Sequence, residues 1–236
     1  MIYRFDTLSS TNDEARNPRY THGDVVVAEF QTEGRGQRGN RWSSASGQNL
    51  MLSVVLCPEN LAAADQFSLL ECVALALTDT FAAYNLPTTI KWTNDIYVGD
   101  RKLVGVLIEN SLADGRVARS VVGVGININQ TEFDPSLPNP TSMAVECGRE
   151  VERTEVLERF VGCLMQRYAS PPEGRESLHA EYVARMYRRG VEADFVLPDG
   201  TKLRGTIRDV APRGDLVVDT AEGVRTFLFK QIAFVI

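Results

Sequence analysis

Histidine is scarce in this chain and cysteine is scattered. Of 236 residues only His22 and His179 are histidines, and they lie far apart in sequence. A histidine metal centre is therefore not expected. Cys57, Cys72, Cys147 and Cys163 form no CxxC pair and have no histidine cluster beside them, so idle thiols in a reducing compartment are the expectation. No apolar run approaches the ~18 residues of a membrane span. Residues 1–10 carry Arg4 and Asp6 and lack the apolar core of a signal peptide. A soluble, cytoplasmic protein with no membrane partner is expected. There is no cationic excess either: 25 basic residues face 31 acidic ones, for a net charge of −6. That argues against general coating of nucleic acid, although it leaves room for a local basic patch. No GxxxxGK[ST] occurs, which excludes a P-loop, and no internal repeats are visible.

What is present is ordinary for a globular chain: 44% hydrophobic and 24% charged residues. This length buries a sizeable core without staples. Residues 2–5 read as a short strand. Ser9, Ser10, Thr11 and Asn12 offer caps to a helix that stops near Pro18. The β-branched segment 25–31 reads as a buried strand, and 49–57 as another. Leu69, Leu70, Val73, Leu77 and Phe81 make an apolar stripe that predicts a helix over 65–84. Strands are expected at 90–92, 96–98, 103–110 and 119–128, with 96–98 and 103–110 joined as a hairpin through Gly99, Asp100 and Arg101. Helices are expected at 152–168 and 173–187, separated by Pro171 and Pro172. After Arg188, Arg189 and Gly190 the texture changes to short apolar runs split by turn signals. The expected organisation is α+β: a larger domain, 1–187, and a small barrel-like β domain, 188–236, too short to stand well alone.

Segment 32–49 has glycines and serines and almost no apolar face, so it is a long loop of the kind that carries function. Gly34, Gly36 and Gly39 satisfy GxGxxG after a strand, but residues 40–47 show no helical stripe. A dinucleotide fold needs a helix there to meet the pyrophosphate, so that reading is rejected. There remains a loop with Arg35, Arg38 and Arg41 against Glu33, and with Trp42 as a stacking surface. Glycine amides and guanidinium forks both suit an anion. A second group, Lys91, Asn94 and Asp95, ends a short strand, and Lys102 begins the returning one. A lysine here can stabilise charge growing on a phosphate; an aspartate can hold Mg²⁺ or accept a proton from an amine. Asn127 follows Gly123 and Gly125 at a strand end, where an amide suits a nucleotide. Singly, each of these features is as compatible with a solvated surface as with a site.

In order, Ser10-Thr11-Asn12, Gln31-Thr32-Glu33-Gly34-Arg35-Gly36, Trp42, Lys91-Trp92-Thr93-Asn94-Asp95, Lys102 and Gly125-Ile126-Asn127 resemble the biotin protein ligases over the whole chain. The resemblance implies a mixed β-sheet packed with helices, like the class II aminoacyl-tRNA synthetase catalytic fold, followed by an SH3-like barrel. It implies that biotin is activated by ATP and Mg²⁺ as biotinyl-5′-AMP and passed to a lysine of a biotin carboxyl carrier protein, with no tightly bound metal. By the same resemblance, Ser10, Thr11, Asn12, Gln31, Gly34, Arg35, Gly36, Lys102 and Gly105 would bind biotin. Arg38, Arg41, Trp42, Lys91, Asn94, Lys102 and Asn127 would hold ATP, and Asn94 and Asp95 its metal. Lys102, Asp95 and Arg35 would carry the chemistry.

The sequence departs from the family where arginines are usual, at Gln37 and Asn40, and where proline is usual, at Thr93. Arg38 and Arg41 stand one position along and are the candidate substitutes; looser retention of the adenylate is the expectation. The pattern begins by residue 10, which implies a form without the N-terminal DNA reader and without a DNA partner. Homodimerisation through a sheet edge is compatible with it. Two rivals remain open from sequence: a lipoate ligase, against which the GRG loop and Trp42 stand, and a nucleic-acid-binding module, against which the net charge stands.

Overall fold

A run of apolar residues with no polar break has to be covered on both faces, and residues 50–56 (LMLSVVL) are such a run apart from Ser53. In the computed structural model, which describes residues 1–169 and 175–236 and leaves the side chains of Arg38 and Arg175 undescribed, all seven are buried in a central strand. The chain opens with β1 (Ile2–Leu8), α1 (Thr11–Ala15), β2 (Val25–Gln31) and β3 (Leu50–Leu56). Helix α2 (Phe67–Ala82) leads into β4 (Thr88–Lys91), β5 (Asp95–Val98), β6 (Arg101–Ala113) and β7 (Arg116–Ile126). Then come α3 (Met143–Cys147), α4 (Arg153–Tyr168) and α5 (Arg175–Ala184). Strands β8 (Glu192–Val196), β9 (Lys202–Val210), β10 (Leu216–Thr220), β11 (Gly223–Phe227) and β12 (Ala233–Phe234) follow.

The first seven strands form one sheet in the order β1-β2-β3-β7-β6-β5-β4. β1 and β2 run parallel and every other neighbouring pair antiparallel, so the sheet is mixed. Because successive side chains of a strand alternate in direction, the sheet has two chemically different faces. Leu50, Leu52 and Val54 of β3 join Val122, Val124 and Ile126 of β7 in the main core, covered by α2, α4 and α5. The opposite face carries Val55 and Val121, which pack under α1 with Ala15 and Tyr20. Along the same two strands it then carries Ser53, Gly123 and Gly125. On that stretch of β7 the core side chains are replaced by glycine, with Met51 of β3 opposite Gly125, and the face is left open as a concavity.

The three covering helices are fastened by one ionic network. Arg167 of α4 binds Asp79 of α2 at 2.5 Å and Glu181 of α5 at 2.8 Å; Arg185 reaches Asp79 at 2.7 Å. Burial alone would raise the Asp79 carboxyl, but the two guanidinium groups outweigh it and hold it below the usual carboxylate range.

Most expected elements are present, with shifted ends. β6 and β7 are longer than expected and form a second hairpin beyond the one expected with β5. The short helix α3 was not anticipated. Helix α5 ends at Ala184 rather than at residue 187, because the next residues lie along β4 instead: the Ile90 N–H donates to Arg185 O at 2.9 Å and the Tyr187 N–H to Ile90 O at 2.8 Å. The expected break at Pro171 and Pro172, and the expected helix start at 173, fall outside the described residues.

The last five strands form an antiparallel sheet in the order β11-β10-β9-β8-β12. It leans on the first sheet through one continuous apolar cluster that includes Phe195, Ile207, Leu216 and Phe227. The junction has a specific bond: the buried Trp92 indole N–H donates to Gly214 O at 2.8 Å. Gly214 has φ +97°, and a Cβ there would stand 2.5 Å from Phe67 Cδ2 on α2. Gly214→Ala is therefore expected to cost about 2–4 kcal/mol, combining a left-handed backbone with overpacking. Chemical denaturation measures this; a loss under about 0.5 kcal/mol would show that the junction yields more easily than this geometry implies.

Candidate active site

The open face of the sheet is floored by glycine. Gly105 on β6 and Gly125 on β7 are register partners, and Gly125 is also opposite Met51 on β3. The Trp42 indole lies on this pair. A Cβ at Gly125 would fall 2.3 Å from Trp42 Cε2, and one at Gly105 would fall 2.9 Å from Cζ3. One register step away, Gly123 lies under Asn12, with 2.2 Å from its would-be Cβ to Oδ1. These three positions need glycine for close approach, not for an unusual turn.

Trp42 is carried to this floor by the arginine-rich loop, which folds back on itself as a flap. The Trp42 N–H donates to Gly34 O at 3.0 Å and the Gly36 N–H to Asn40 O at 2.7 Å. Residues 37–39 make one 3₁₀ turn. Beneath the flap is a cavity of about 230 Å³. The Trp42 Nε1–H and the Arg35 Nε–H are buried without an acceptor among the described residues. Buried donors of this kind call for a partner, since leaving them unpaired is costly.

At one end the cavity is lined by neutral polar groups. Gln31 Oε1 accepts the Thr11 N–H at 2.7 Å. Ser53 Oγ lies 2.6 Å from Asn12 Oδ1 and 2.8 Å from Thr11 Oγ1. The Asn12 oxygen only accepts, so the single Ser53 hydrogen serves it and the Thr11 hydroxyl donates to Ser53. Ser10 precedes this helix in extended conformation and is buried too.

At the other end are the charges. Lys102 Nζ pairs with Asp95 Oδ1 at 2.8 Å, both partly exposed. The backbone of Lys102 is held on both sides by segment 139–141, with its N–H on Asn139 O at 2.7 Å and its C=O accepting the Thr141 N–H at 2.9 Å. Lys91 sits between the Tyr97 and Phe234 rings, 5.1 Å from each centroid. Burial lowers its pKa, Asp95 opposes that, and Lys102 adds to it. Burial pushes the Tyr97 phenol up to about 12.

The structure gathers most of the expected residues around one cavity. Ser10, Thr11, Asn12, Gln31, Arg35, Gly36, Arg41 and Trp42 line it, as do Lys91, Asn94, Asp95, Lys102 and Gly105. Gly34 is placed differently: it is buried beneath the flap, where a Cβ would meet Trp42 O at 2.3 Å. Asn127 is not brought in. Its amide is spent on Thr141 O at 2.9 Å, which ties the end of β7 to the segment beside Lys102. Asn94 lines the cavity, but its amide donates to Val106 O and its oxygen accepts from Thr93 at 2.8 Å. The Arg35 guanidinium lines the same cavity as Lys102 and is paired with Glu109 and Asp13. The side chain of Arg38 lies outside the described set. Among the described residues no group of three or more His, Cys, Asp or Glu could hold a metal.

Sequence reasoning missed four participants. Ser53 is a lone polar residue in an apolar strand, a signal visible in the sequence. Glu109 and Asp13, which hold Arg35, and Phe229, which lines the cavity, are legible only once β6, α1 and the segment after β11 come together.

The family model for the biotin/lipoate A/B protein ligase family matches residues 4–127. The chain belongs to this family. Among its ligase relatives, the bifunctional ligase/repressor BirA of Bacillus subtilis is 35% identical over 250 residues, covering 98% of this chain and 73% of that protein. The biotin--[acetyl-CoA-carboxylase] ligase of Mycobacterium tuberculosis is 30% identical over 203 residues, covering 84% and 73%. The biotin protein ligase from Aquifex aeolicus, solved in complex with biotin and ATP, superposes with a TM-score of 0.82 at 25% identity, over 98% of this chain and 97% of that one.

Gly125→Ala is expected to lift Trp42 off its floor while leaving the fold intact, since the flap lies outside the main core. Acrylamide should then quench tryptophan emission more strongly, with the melting midpoint moved by less than about 4 °C. Unchanged quenching would mean that the ring does not rest on Gly125.

Proposed function

We propose that this chain is an ATP-dependent biotin ligase: it activates biotin as biotinyl-5′-AMP and transfers it to a lysine of a biotin carboxyl carrier protein. The observation that carries this reading is the single cavity. Its neutral polar end, glycine floor, indole cover and cationic end all meet there.

The chemistry follows from what each group can do. An uncharged ureido ring needs donors and acceptors without charge, and Ser10, Thr11, Asn12 and Gln31 supply them. Arg35 and Gly36 line the ligand's path, with the Arg35 Nε–H as the free donor; Gly34 is buried behind them against Trp42, and Gly105 lets the indole sit low beside the ligand. In the first step a biotin carboxylate oxygen attacks the α-phosphorus of ATP, and the bond to pyrophosphate breaks. Negative charge grows on the α-phosphate oxygens, and the Lys102 ammonium stabilises it. In the second step the carrier lysine amine attacks the acyl carbon, the bond to AMP breaks, and the amine loses a proton. Asp95, 2.8 Å from Lys102, is the group assigned to orient that amine and take the proton. Trp42, Lys91, Arg41 and Arg38 are assigned to the nucleotide side. Mg²⁺ enters as part of the ATP substrate, held mainly by phosphates, with Asn94 and Asp95 as the assigned protein donors.

Several finer features belong to the same proposal. Residues 188–236 form an SH3-like domain following a catalytic domain of 1–187, supported by the separate five-stranded antiparallel sheet. The carrier belongs to acetyl-CoA carboxylase or a related carboxylase, supported by the names of the Mycobacterium tuberculosis and Paracoccus denitrificans relatives. β1 is an edge strand, which supports pairing with a second copy. The use of ATP and four free cysteines support a reducing, cytoplasmic setting.

Biotin-dependent exchange of pyrophosphate into ATP tests the reading, followed by mass spectrometry of a carrier domain incubated with ATP and biotin. Lys102→Ala is expected to lose about 10²-fold or more in exchange, the size seen for one preorganised charge-stabilising donor. Exchange at the unsubstituted rate would remove Lys102 from the chemistry.

A further inference from the structure

Glu109 lies on the same face of β6 as Gly105 and Leu107, and its carboxylate receives three different side chains. Arg35 of the flap grips it with both prongs, Nη1 to Oε1 at 3.1 Å and Nη2 to Oε2 at 3.0 Å. Asn12 of α1 donates from Nδ2 to Oε2 at 2.8 Å. Arg16, one turn on, donates from Nη2 to Oε1 at 2.6 Å. Arg35 Nη2 also reaches Asp13 Oδ1 at 2.7 Å, but Asp13 is exposed, whereas Glu109 is mostly covered.

The consequences run in two directions. Toward the flap, a bidentate charge-assisted pair ties the Arg35 guanidinium to β6 at the side of the cavity, with its Nε–H buried. The Gly36 N–H is taken by Asn40 O at 2.7 Å, so the free donor the flap holds here is the Arg35 Nε–H. Toward the floor, Glu109 is an acceptor only, so it dictates that Asn12 presents Nδ2 to it and Oδ1 to Ser53. An amide flipped the other way would put its oxygen against a carboxylate. Asn12 has almost no room to adapt, because it rests on Gly123. One carboxylate thus sets both the closure of the flap and the donor pattern of the neutral end.

We propose that Glu109 is the positioning residue that couples flap closure to recognition of the ligand's uncharged end. It touches neither reacting atoms nor the Lys102–Asp95 pair. The inference rests on the biotin-ligase reading above.

The test is Glu109→Gln, which keeps the size but removes the charge and adds a donor facing Arg35. Biotin KM in the exchange assay is expected to rise about tenfold, the equivalent of one charge-assisted hydrogen bond. The kcat should change less than about threefold, because transition-state contacts are intact. The ATP KM should rise less than the biotin KM, because the loosened flap carries Arg41 and Trp42 but the Asn12 donor pattern is felt by biotin alone. In an Arg35→Gln background the same substitution should raise biotin KM less, since the two residues act as a unit. Should Glu109→Gln not fold, Glu109→Asp is read in the same way, being too short to span Asn12 and Arg35 together. An unchanged biotin KM, or equal losses for biotin and ATP, overturns the proposal. Absence of biotin-dependent exchange in the unsubstituted chain would instead overturn the biotin-ligase reading itself.

Discussion

The site depends on the contact between an indole ring and two strands that carry no side chains beneath it. A sheet covered by helices on one face ordinarily buries its other face as well, or leaves it to water. Here β6 and β7 place Gly105 and Gly125 opposite each other, and the Trp42 ring occupies the space their Cβ atoms would fill. That contact converts a polar loop with little apolar content into an ordered cover. Without it the loop would gain too little burial to offset the entropy of ordering some ten residues. The cavity lies beside this contact, between the folded flap and the polar residues that ring it.

The charges follow a similar division of labour. At one end the Arg35 guanidinium is neutralised by Glu109 and Asp13, so this arginine adds little free charge to the cavity. At the other end Lys102 is paired with a single carboxylate, Asp95, while its backbone is clamped by segment 139–141. A lysine whose backbone is fixed and whose head can exchange one partner for another suits a reaction in which negative charge appears late. Lys91, largely desolvated between two rings, adds a second positive charge whose field is poorly screened.

Much of this was legible from residues. The valines of 25–31, the apolar stripe of α2 and the turn signals after residue 188 gave the main elements, because hydrophobic period and turn chemistry act locally. The alternation of glycine with valine in 123–126 marks a strand with one bare face, yet only the pairing of β6 with β7 shows that Gly105 belongs to the same floor. Asn127 and Asn94 illustrate the limit. An amide at a strand end suits a nucleotide in principle, but here both are largely spent on backbone carbonyls and neighbouring hydroxyls that only tertiary structure supplies. Glu109 had no local signal at all. It sits within a long strand, and its importance comes from three donors contributed by the flap and α1. The end of α5 moved for the same reason, since pairing with β4 satisfied backbone groups that another turn of helix would have used.

The most direct test of the central claim is a crystal structure of the chain with biotin and a non-hydrolysable ATP analogue. The account predicts biotin lying beside the indole, its ring at Thr11, Asn12 and Gln31, its carboxylate near Lys102, and Trp42 still seated on Gly105 and Gly125. Biotin bound elsewhere, or in this cavity with Trp42 displaced and Lys102 turned away from the carboxylate, would contradict it.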